Sequence, residues 1–164
     1  MRLCDIRVIS GQVELLPVVI EALAALPVHV LVATAGRLQL DVLPDNVWVA
    51  DYLPGTLAAQ RSRLVICNGG SGTVHQALAA GVPVLGIPSN IDQHLVMTCV
   101  TRVGAGMSLR AGQTTRDKVA QAVAELLANP TYQAAAQRVA AEFFRYDVNR
   151  EFPRFVDEVC GRGK

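Results

Sequence analysis

The chain has 164 residues, of which 51% are hydrophobic and 18% charged, and its formal net charge is +1 at pH 7. This length suits one domain with a substantial core, and the composition is not that of a disordered chain. The balanced charge, with lysine only at positions 118 and 164, gives no basic surface for nucleic acid. No apolar run approaches the length that spans a bilayer, and charged residues near the start do not fit a secretory signal. We therefore expect a globular, cytoplasmic protein without a transmembrane segment.

The pattern of strands and helices predicts the fold. Apolar runs predict six strands, at Ile6–Ser10, His29–Ala33, Val47–Ala50, Leu64–Cys67, Pro83–Ile87 and Gly106–Leu109. Helical spacing and stop signals predict helices at Val13–Ala25, Thr73–Ala80 and Asp92–Val103, then further helices that end with Asn149–Val159. Such alternation indicates a doubly wound, Rossmann-like α/β fold, with a parallel six-stranded sheet covered by helices on both faces. Residues 1–164 are expected to form this single domain.

Local signals predict two helix starts and the state of the cysteines. The spacing in Thr114-Thr115-Arg116-Asp117 is that of a capping box, and Asn129 before Pro130 is typical of an N-cap followed by a proline in the first turn. The four cysteines are widely spaced and form no Cys-x-x-Cys pair, which indicates reduced, mostly buried thiols and no disulfide framework or zinc site.

The segment most informative about function follows the fourth strand and reads Asn68-Gly69-Gly70-Ser71-Gly72-Thr73. In doubly wound folds, ligands bind at the carboxyl ends of the strands. The first amides of the helix that follows are unpaired and carry partial positive charge, and glycines allow a phosphate to approach them closely. The sequence therefore predicts a phosphate-binding loop, with the Ser71 and Thr73 hydroxyls as additional donors.

Three other glycine-rich loops fit these residues less well. A P-loop ends in Gly-Lys-Ser/Thr, and no lysine lies nearby. A dinucleotide fingerprint would need glycine where His75 stands, although Asp92 lies about where such folds carry an acidic residue. A Gly-x-Ser-x-Gly hydrolase elbow would need glycine at Thr73, and Asp92 and His94 are too close together for triad partners. A non-catalytic nucleotide-binding or NAD-type module stays as the alternative.

The same segment and those after it resemble the donor-binding signature of the UDP-glycosyltransferase superfamily. That signature runs His-Gly-Gly-x-Gly-Thr, Ala-Leu, Gly-Val-Pro, Pro and Asp-Gln, and here it is matched by Asn68 to Thr73, Ala77-Leu78, Gly81-Val82-Pro83, Pro88 and Asp92-Gln93. The stretch from Val47 to Pro54 resembles the strand and loop before the family's base pocket, and the whole resemblance covers roughly Ile6 to Phe144. It implies the C-terminal, nucleotide-sugar-binding domain of a two-domain enzyme of GT-B type.

The resemblance also implies the role of each residue in a donor site. Tyr52 would stack on the base, and the Leu53 backbone would hydrogen-bond the edge of the base. The diphosphate would be held by Asn68, Gly70, Ser71, Gly72 and Thr73. Gln76 would contact the ribose, and Asp92 and Gln93 would contact the sugar hydroxyls. Three positions depart from the pattern: Asn68 replaces a histidine, Gly55 stands where many members carry a ribose-contacting glutamine, and Gln76 where plant members carry a glutamate. Asp92 has an alternative role as the N-cap of its helix.

By this resemblance, the complete enzyme would transfer a hexose from a UDP-sugar or dTDP-sugar to an acceptor hydroxyl, with inversion and without a metal or cofactor. No Asp-x-Asp motif for a metal-bridged diphosphate occurs. The family's catalytic base belongs to the acceptor domain, which no segment here resembles, so we expect no catalytic residue and no activity in this chain alone. The expected partner is an acceptor domain of a longer enzyme or a separate acceptor-binding subunit. His29 is expected to be a buried structural residue, His75 a packing or surface residue, and His94 a neighbour of the donor.

Overall fold

A computed structural model describes residues 5–9, 13–36 and 42–161. Its sheet consists of β1 (Ile6–Ile9), β2 (Val30–Ala33), β3 (Val47–Ala50), β4 (Leu64–Cys67), β5 (Val84–Gly86) and β6 (Gly106–Ser108). All pairings are parallel, in the order β3-β2-β1-β4-β5-β6. The predicted six-stranded parallel sheet is thus confirmed, and the strand ends that can be compared among the described residues lie within one residue of the predicted ones. Ser10, the predicted end of the first strand, lies outside the described residues.

The helices are α1 (Leu16–Ala24), α2 (Gly55–Gln60), α3 (Ser71–Ala79), α4 (Ile91–Arg102), α5 (Arg116–Ala128), α6 (Pro130–Phe144) and α7 (Val148–Gly161). Short 3-10 turns precede α1 and α5. The sequence did not predict α2, because six residues are too few to show helical periodicity. No described helix is long and apolar enough to cross a membrane.

Helices cover both faces of the sheet. Because alternate strand side chains point to opposite faces, Ile6 and Val8 pack with α1 and α5, whereas Val65 and Cys67 pack with α3, α4 and α6. Apolar burial on both faces explains why the strands appear in the sequence as continuous apolar runs.

Two local predictions are wrong, one about the N-cap of α5 and one about the burial of His29. The N-cap of α5 is Thr115, which accepts from the Lys118 amide at 3.4 Å, because the hydroxyl of Thr114 donates instead to the Arg110 carbonyl at 2.8 Å. His29 precedes β2 and is exposed, with its ring stacked on Trp48 and Nδ1 3.4 Å from a carboxyl oxygen of Asp5. The predicted N-cap at Asn129 is confirmed, because its side-chain oxygen accepts a hydrogen bond from the Thr131 amide at 3.1 Å.

The described cysteines are free thiols, but only Cys67 is buried. Cys99 lies on the outer side of α4 and Cys160 on α7, which buries no residue, so both are exposed. The expectation of mostly buried thiols is therefore wrong for these two, and Cys4 lies outside the described residues.

Candidate functional site

The strand order places a crevice at the carboxyl edge of the sheet. The chain leaves β1 towards α1 on one face, and it leaves β4, the neighbour of β1, towards α3 on the other face. Such a reversal of strand order opens a space between the two connections, which is where doubly wound folds bind ligands. The loops that follow β3, β4 and β5 end at this same edge, because all strands are parallel.

The loop between β4 and α3 is shaped by a glycine and an asparagine. Gly69 has φ +80, and a Cβ atom there would lie 2.7 Å from Cγ of Met97, so the position accepts only glycine. The Asn68 side chain accepts a hydrogen bond from the Gly70 amide at 3.1 Å. The helix then begins at Ser71, two residues earlier than predicted, with Gly70 as its N-cap.

This geometry leaves three amides available at the start of α3. The first helical hydrogen bond runs from the Val74 amide to the Gly70 carbonyl, at 3.1 Å. The amides of Ser71, Gly72 and Thr73 have no hydrogen-bond partner among the described residues, and no side chain caps them. Unpaired amides at a helix start, together with the helix dipole, are features that favour the binding of an anion. Asn68, which uses its oxygen within the loop, keeps its Nδ2 group as a donor.

The loop after β3 presents an aromatic side chain. The Asp51 carbonyl accepts from the Ala35 amide at 2.8 Å and its carboxylate from the Thr34 hydroxyl at 3.3 Å, which ties this loop to the end of β2. The next residue, Tyr52, is 79% exposed, whereas Leu53 is half-buried. The exposed ring is a surface on which a planar group can stack.

The loop after β5 and the start of α4 carry Asp92 and Gln93, the residues predicted to contact the sugar. Asn90 caps α4 by accepting from the Gln93 amide at 3.0 Å, so the alternative role of Asp92 as the N-cap is wrong. Asp92 is exposed in the first turn. Gln93 is buried, and its Oε1 accepts from the Ser89 amide at 2.9 Å, which leaves its Nε2 group without a partner among the described residues. The sequence had not indicated that Gln93 holds this loop.

Two residues at the crevice come together from distant parts of the chain. Gln76, exposed on α3, places its side-chain amide against Gly55, the first residue of α2. The Gly55 carbonyl in turn accepts a hydrogen bond from Nη1 of Arg7, which is only 3% exposed within β1. Sequence reasoning did not single out Arg7, and the available signal was a charged residue within an apolar strand.

The other candidate side chains, on His75, Cys67, His94 and Asp92, do not lie together as a set of catalytic residues. The His75 ring stacks on Phe143 of α6, with ring centroids 4.4 Å apart, as a packing residue does. Burial raises the pKa of the Cys67 thiol to about 11, which keeps it protonated at neutral pH. His94 lines an open cavity of about 730 Å³ together with Ile91 and Arg110. Asp92 lies beyond the end of β5 rather than at a strand end, which weakens the dinucleotide reading. Among the described residues, no three or more His, Cys, Asp or Glu side chains cluster so as to hold a metal ion.

The parallel sheet order and its reversal between β1 and β4 define a Rossmann-like domain, and the start of α3 with its unpartnered amides lies at this switch point. The family model described as "Erythromycin biosynthesis protein CIII-like, C-terminal domain" matches residues 13–152, and the chain belongs to this family.

Relatives of known class support the same assignment. The chain is 54% identical over 134 residues to a PGL/p-HBAD biosynthesis glycosyltransferase of Mycobacterium tuberculosis (strain H37Ra), covering 82% of this chain and 31% of the relative. It is 51% identical over 148 residues to a PGL/p-HBAD biosynthesis rhamnosyltransferase of Mycobacterium bovis (strain BCG / Pasteur 1173P2), covering 90% of this chain and 32% of the relative. The chain thus spans about a third of the length of these curated relatives.

Solved structures agree with the fold. The spinosyn rhamnosyltransferase SpnG in complex with thymidine diphosphate has a TM-score of 0.77 at 30% identity, covering 88% of this chain and 43% of that one. The glycosyltransferase VinC in complex with dTDP has a TM-score of 0.87 at 23% identity, covering 97% and 42%, and this likeness concerns the fold alone. The resemblance to the UDP-glycosyltransferase superfamily is therefore confirmed, and the chain corresponds to the C-terminal domain of a GT-B glycosyltransferase.

Proposed function

We propose that this domain binds the nucleotide-sugar donor of a glycosyltransferase that transfers a hexose from a dTDP-sugar or UDP-sugar to an acceptor hydroxyl. The observation that carries the proposal is the set of three unpartnered amides, of Ser71, Gly72 and Thr73, at the crevice where the strand order reverses. A diphosphate fits a helix start of this kind, where backbone amides and the helix dipole favour phosphate groups.

The donor would lie along the carboxyl edge of the sheet, across three loops. The base stacks on the exposed Tyr52 ring and is bonded at its edge by the Leu53 backbone. The diphosphate lies at Gly70, Ser71, Gly72 and Thr73, with the Asn68 amide group as a further donor, and the ribose near Gln76. The sugar reaches α4, where Asp92 is exposed and Gln93 keeps an amide group available.

In the proposed reaction, the acceptor oxygen attacks the anomeric carbon while the bond from that carbon to the diphosphate oxygen breaks. Negative charge then grows on the diphosphate, and the amides at the start of α3 stabilise it because they are already oriented towards it. Attack from the side opposite the leaving group inverts the anomeric carbon. The acceptor proton passes to a base of the acceptor-binding half, since no described residue at this edge is placed as that base.

The relatives suggest which donor to test first. One relative is a rhamnosyltransferase, and one solved neighbour is complexed with thymidine diphosphate. We therefore propose dTDP-rhamnose as the first donor, with UDP-sugars as the second class. No cofactor is proposed.

The acceptor-binding half is proposed to lie in the same polypeptide or in a partner subunit and to close over this edge, which matches the chain's coverage of a third of its relatives. Residues 1–164 would form the one donor domain, and we expect donor binding without transfer in its absence. The free thiols suit a cytoplasmic location.

The test is titration calorimetry of the purified chain with dTDP, UDP, NAD and ADP, without added metal. Saturable binding of dTDP or UDP, and not of NAD or ADP, is the expected result. Binding of NAD or ADP instead would place the chain among dinucleotide-binding modules, and binding of none of the four would contradict the proposal.

A further inference from the structure

Arg7 is a charged residue inside an apolar strand. It lies in β1 between Ile6 and Val8, which belong to the core, and only 3% of its own surface is exposed. Taking a guanidinium out of water is costly unless its donors are hydrogen-bonded, and an apolar side chain would fill the same strand position without that cost. The burial of this charge therefore calls for a role that an apolar residue could not fill.

The Arg7 side chain lies on the face of the sheet that α2 and α3 cover. Arg7 is in register with Val65 of β4, and strand residues paired in this way point to the same face. Val65 packs there with Ala59 of α2 and Val74 of α3. From this position Nη1 of Arg7 donates a hydrogen bond to the carbonyl of Gly55, the first residue of α2, which is 48 positions away in the chain.

The segment between β3 and α2, residues 52–54, is tied down on both sides. On one side the carbonyl of Asp51 accepts a hydrogen bond from the Ala35 amide at 2.8 Å, which joins the segment to the end of β2. On the other side the arginine hydrogen bond joins Gly55 to β1. The Tyr52 ring between these ties is 79% exposed, so its own packing does not fix it. The position of the segment therefore depends on the two ties rather than on the ring.

The helix α2 is too short to hold its own first turn. It has six residues, and no side chain caps it at Pro54. Helices of this length are unstable on their own and depend on tertiary contacts. Ala58 and Ala59 are buried and anchor the second half of the helix, whereas the hydrogen bond from Arg7 anchors its first residue.

The same guanidinium acts near the loop between β4 and α3. Burial raises the pKa of the Cys67 thiol to about 11, and this rise is opposed by the hydrogen bond from the Gly69 amide and by the positive charge of Arg7. Because the energy between charges falls with distance, this effect indicates that the guanidinium lies near the end of β4. Arg7 is thus placed between the loops proposed to hold the base and the diphosphate.

We propose that Arg7 is a positioning residue for nucleotide binding, which fixes the start of α2 against β1 so that Tyr52 and Leu53 are held where the base reaches them. This inference rests on the proposed function. It implies that loss of the guanidinium weakens the contacts with the base, while the contacts of the diphosphate with the amides of α3 are kept.

The first test compares two ligands in the variant Arg7→Met, by calorimetry. Methionine is a flexible apolar residue without a donor, and replacing a buried charge in this way need not destabilise a domain. The affinity for dTDP and UDP should fall at least roughly tenfold, as for loss of one base–aromatic stack, whereas inorganic pyrophosphate should bind as it does to the unsubstituted chain. Equal losses for dTDP and pyrophosphate, or no loss for dTDP, would overturn the inference.

A double-mutant cycle tests whether Arg7 acts through the Tyr52 loop. If it does, Arg7→Met combined with Tyr52→Ala should bind dTDP within roughly twofold of Arg7→Met alone, because the ring is already displaced. A combined loss equal to the product of the two separate losses would show that Arg7 acts elsewhere, and the inference would be wrong.

Hydrogen exchange and a matched control separate positioning from general stability. In Arg7→Met the amides of residues 53–60 should exchange faster, while those of residues 74–79 in α3 stay protected. Val65→Ala, on the same face of the sheet, should lower the melting temperature but keep the ratio of dTDP to pyrophosphate affinity. Unchanged exchange in α2, or an equal change of that ratio in Val65→Ala, would overturn the positioning role. Should Arg7→Met not fold, the same measurements apply to Arg7→Lys, whose ammonium does not copy the planar guanidinium.

The outcome for the unsubstituted chain distinguishes the two levels of the argument. If it binds neither dTDP nor UDP, the proposed function fails and the positioning role fails with it. If it binds either nucleotide and Arg7→Met leaves the ratio of dTDP to pyrophosphate affinity unchanged, only the positioning role is wrong.

Discussion

Two loops at the same edge of the sheet present different kinds of binding surface. The loop from β4 to α3 offers backbone amides, and its shape depends on the positive φ of Gly69 and on the Asn68 side chain. The loop from β3 to α2 offers a side chain, the 79% exposed ring of Tyr52, on a backbone tied to the end of β2. In the loop from β4 to α3, we expect substitutions to weaken nucleotide binding when they move or block the backbone. In the loop from β3 to α2, we expect them to weaken it when they remove the Tyr52 ring.

The largest effect is expected at Gly69. Gly69→Ala places a Cβ 2.7 Å from Met97 Cγ at a left-handed φ, which should cost at least about 2 kcal/mol of unfolding free energy. Urea denaturation followed by circular dichroism measures it. The control is Gly72→Ala, where a Cβ meets nothing within 4 Å and stability should be unchanged or higher. Equal stability of both variants would show that the loop tolerates other backbone shapes.

The second-largest effect is expected when a substitution blocks the amides at the start of α3 without unfolding the domain. Gly70→Val puts a branched side chain beside the Asn68 oxygen and over the amides, so dTDP affinity should fall at least roughly 30-fold, the equivalent of about 2 kcal/mol. Calorimetry measures the affinity, and the melting temperature confirms folding. Unchanged affinity in a folded variant would place the diphosphate elsewhere.

Loss of the Tyr52 ring, in the loop from β3 to α2, should weaken nucleotide binding. Tyr52→Ala removes the proposed stacking surface, so dTDP affinity should fall roughly tenfold, as expected for loss of one base–aromatic stack. Tyr52→Phe keeps the ring and should bind like the unsubstituted chain. If Tyr52→Phe lost as much affinity as Tyr52→Ala, the hydroxyl and not the stacked ring would be the contact.

The smallest effect is expected at Asp92, and it should be confined to binding of the sugar part of the donor. Asp92 is exposed and does not cap α4, so Asp92→Ala should leave dTDP binding unchanged while weakening binding of dTDP-rhamnose roughly threefold to tenfold. The ratio of the two affinities is the measurement. Loss of both to the same extent would assign Asp92 to the structure of the first turn.

The sequence predicted the strands more accurately than the helix ends. A strand buried on both faces is a continuous apolar run, so the strands were placed within one residue at every end that lies among the described residues. Helix ends depend on which of several adjacent polar side chains reaches the amides, and so Thr115 caps α5 in place of Thr114, and Asn90 caps α4 in place of Asp92. The six residues of α2 were too few to predict.

The sequence by itself determined the fold class, the family and the loop of amides at residues 68–73, because these depend on local spacing and on the turn that glycines permit. The tertiary structure alone decided that Arg7 bonds Gly55 and that the Gln76 amide lies beside Gly55. These two contacts join residues 48 and 21 positions apart on different elements. They form only when α2 and α3 pack together over β1 and β4, and no local pattern records that packing.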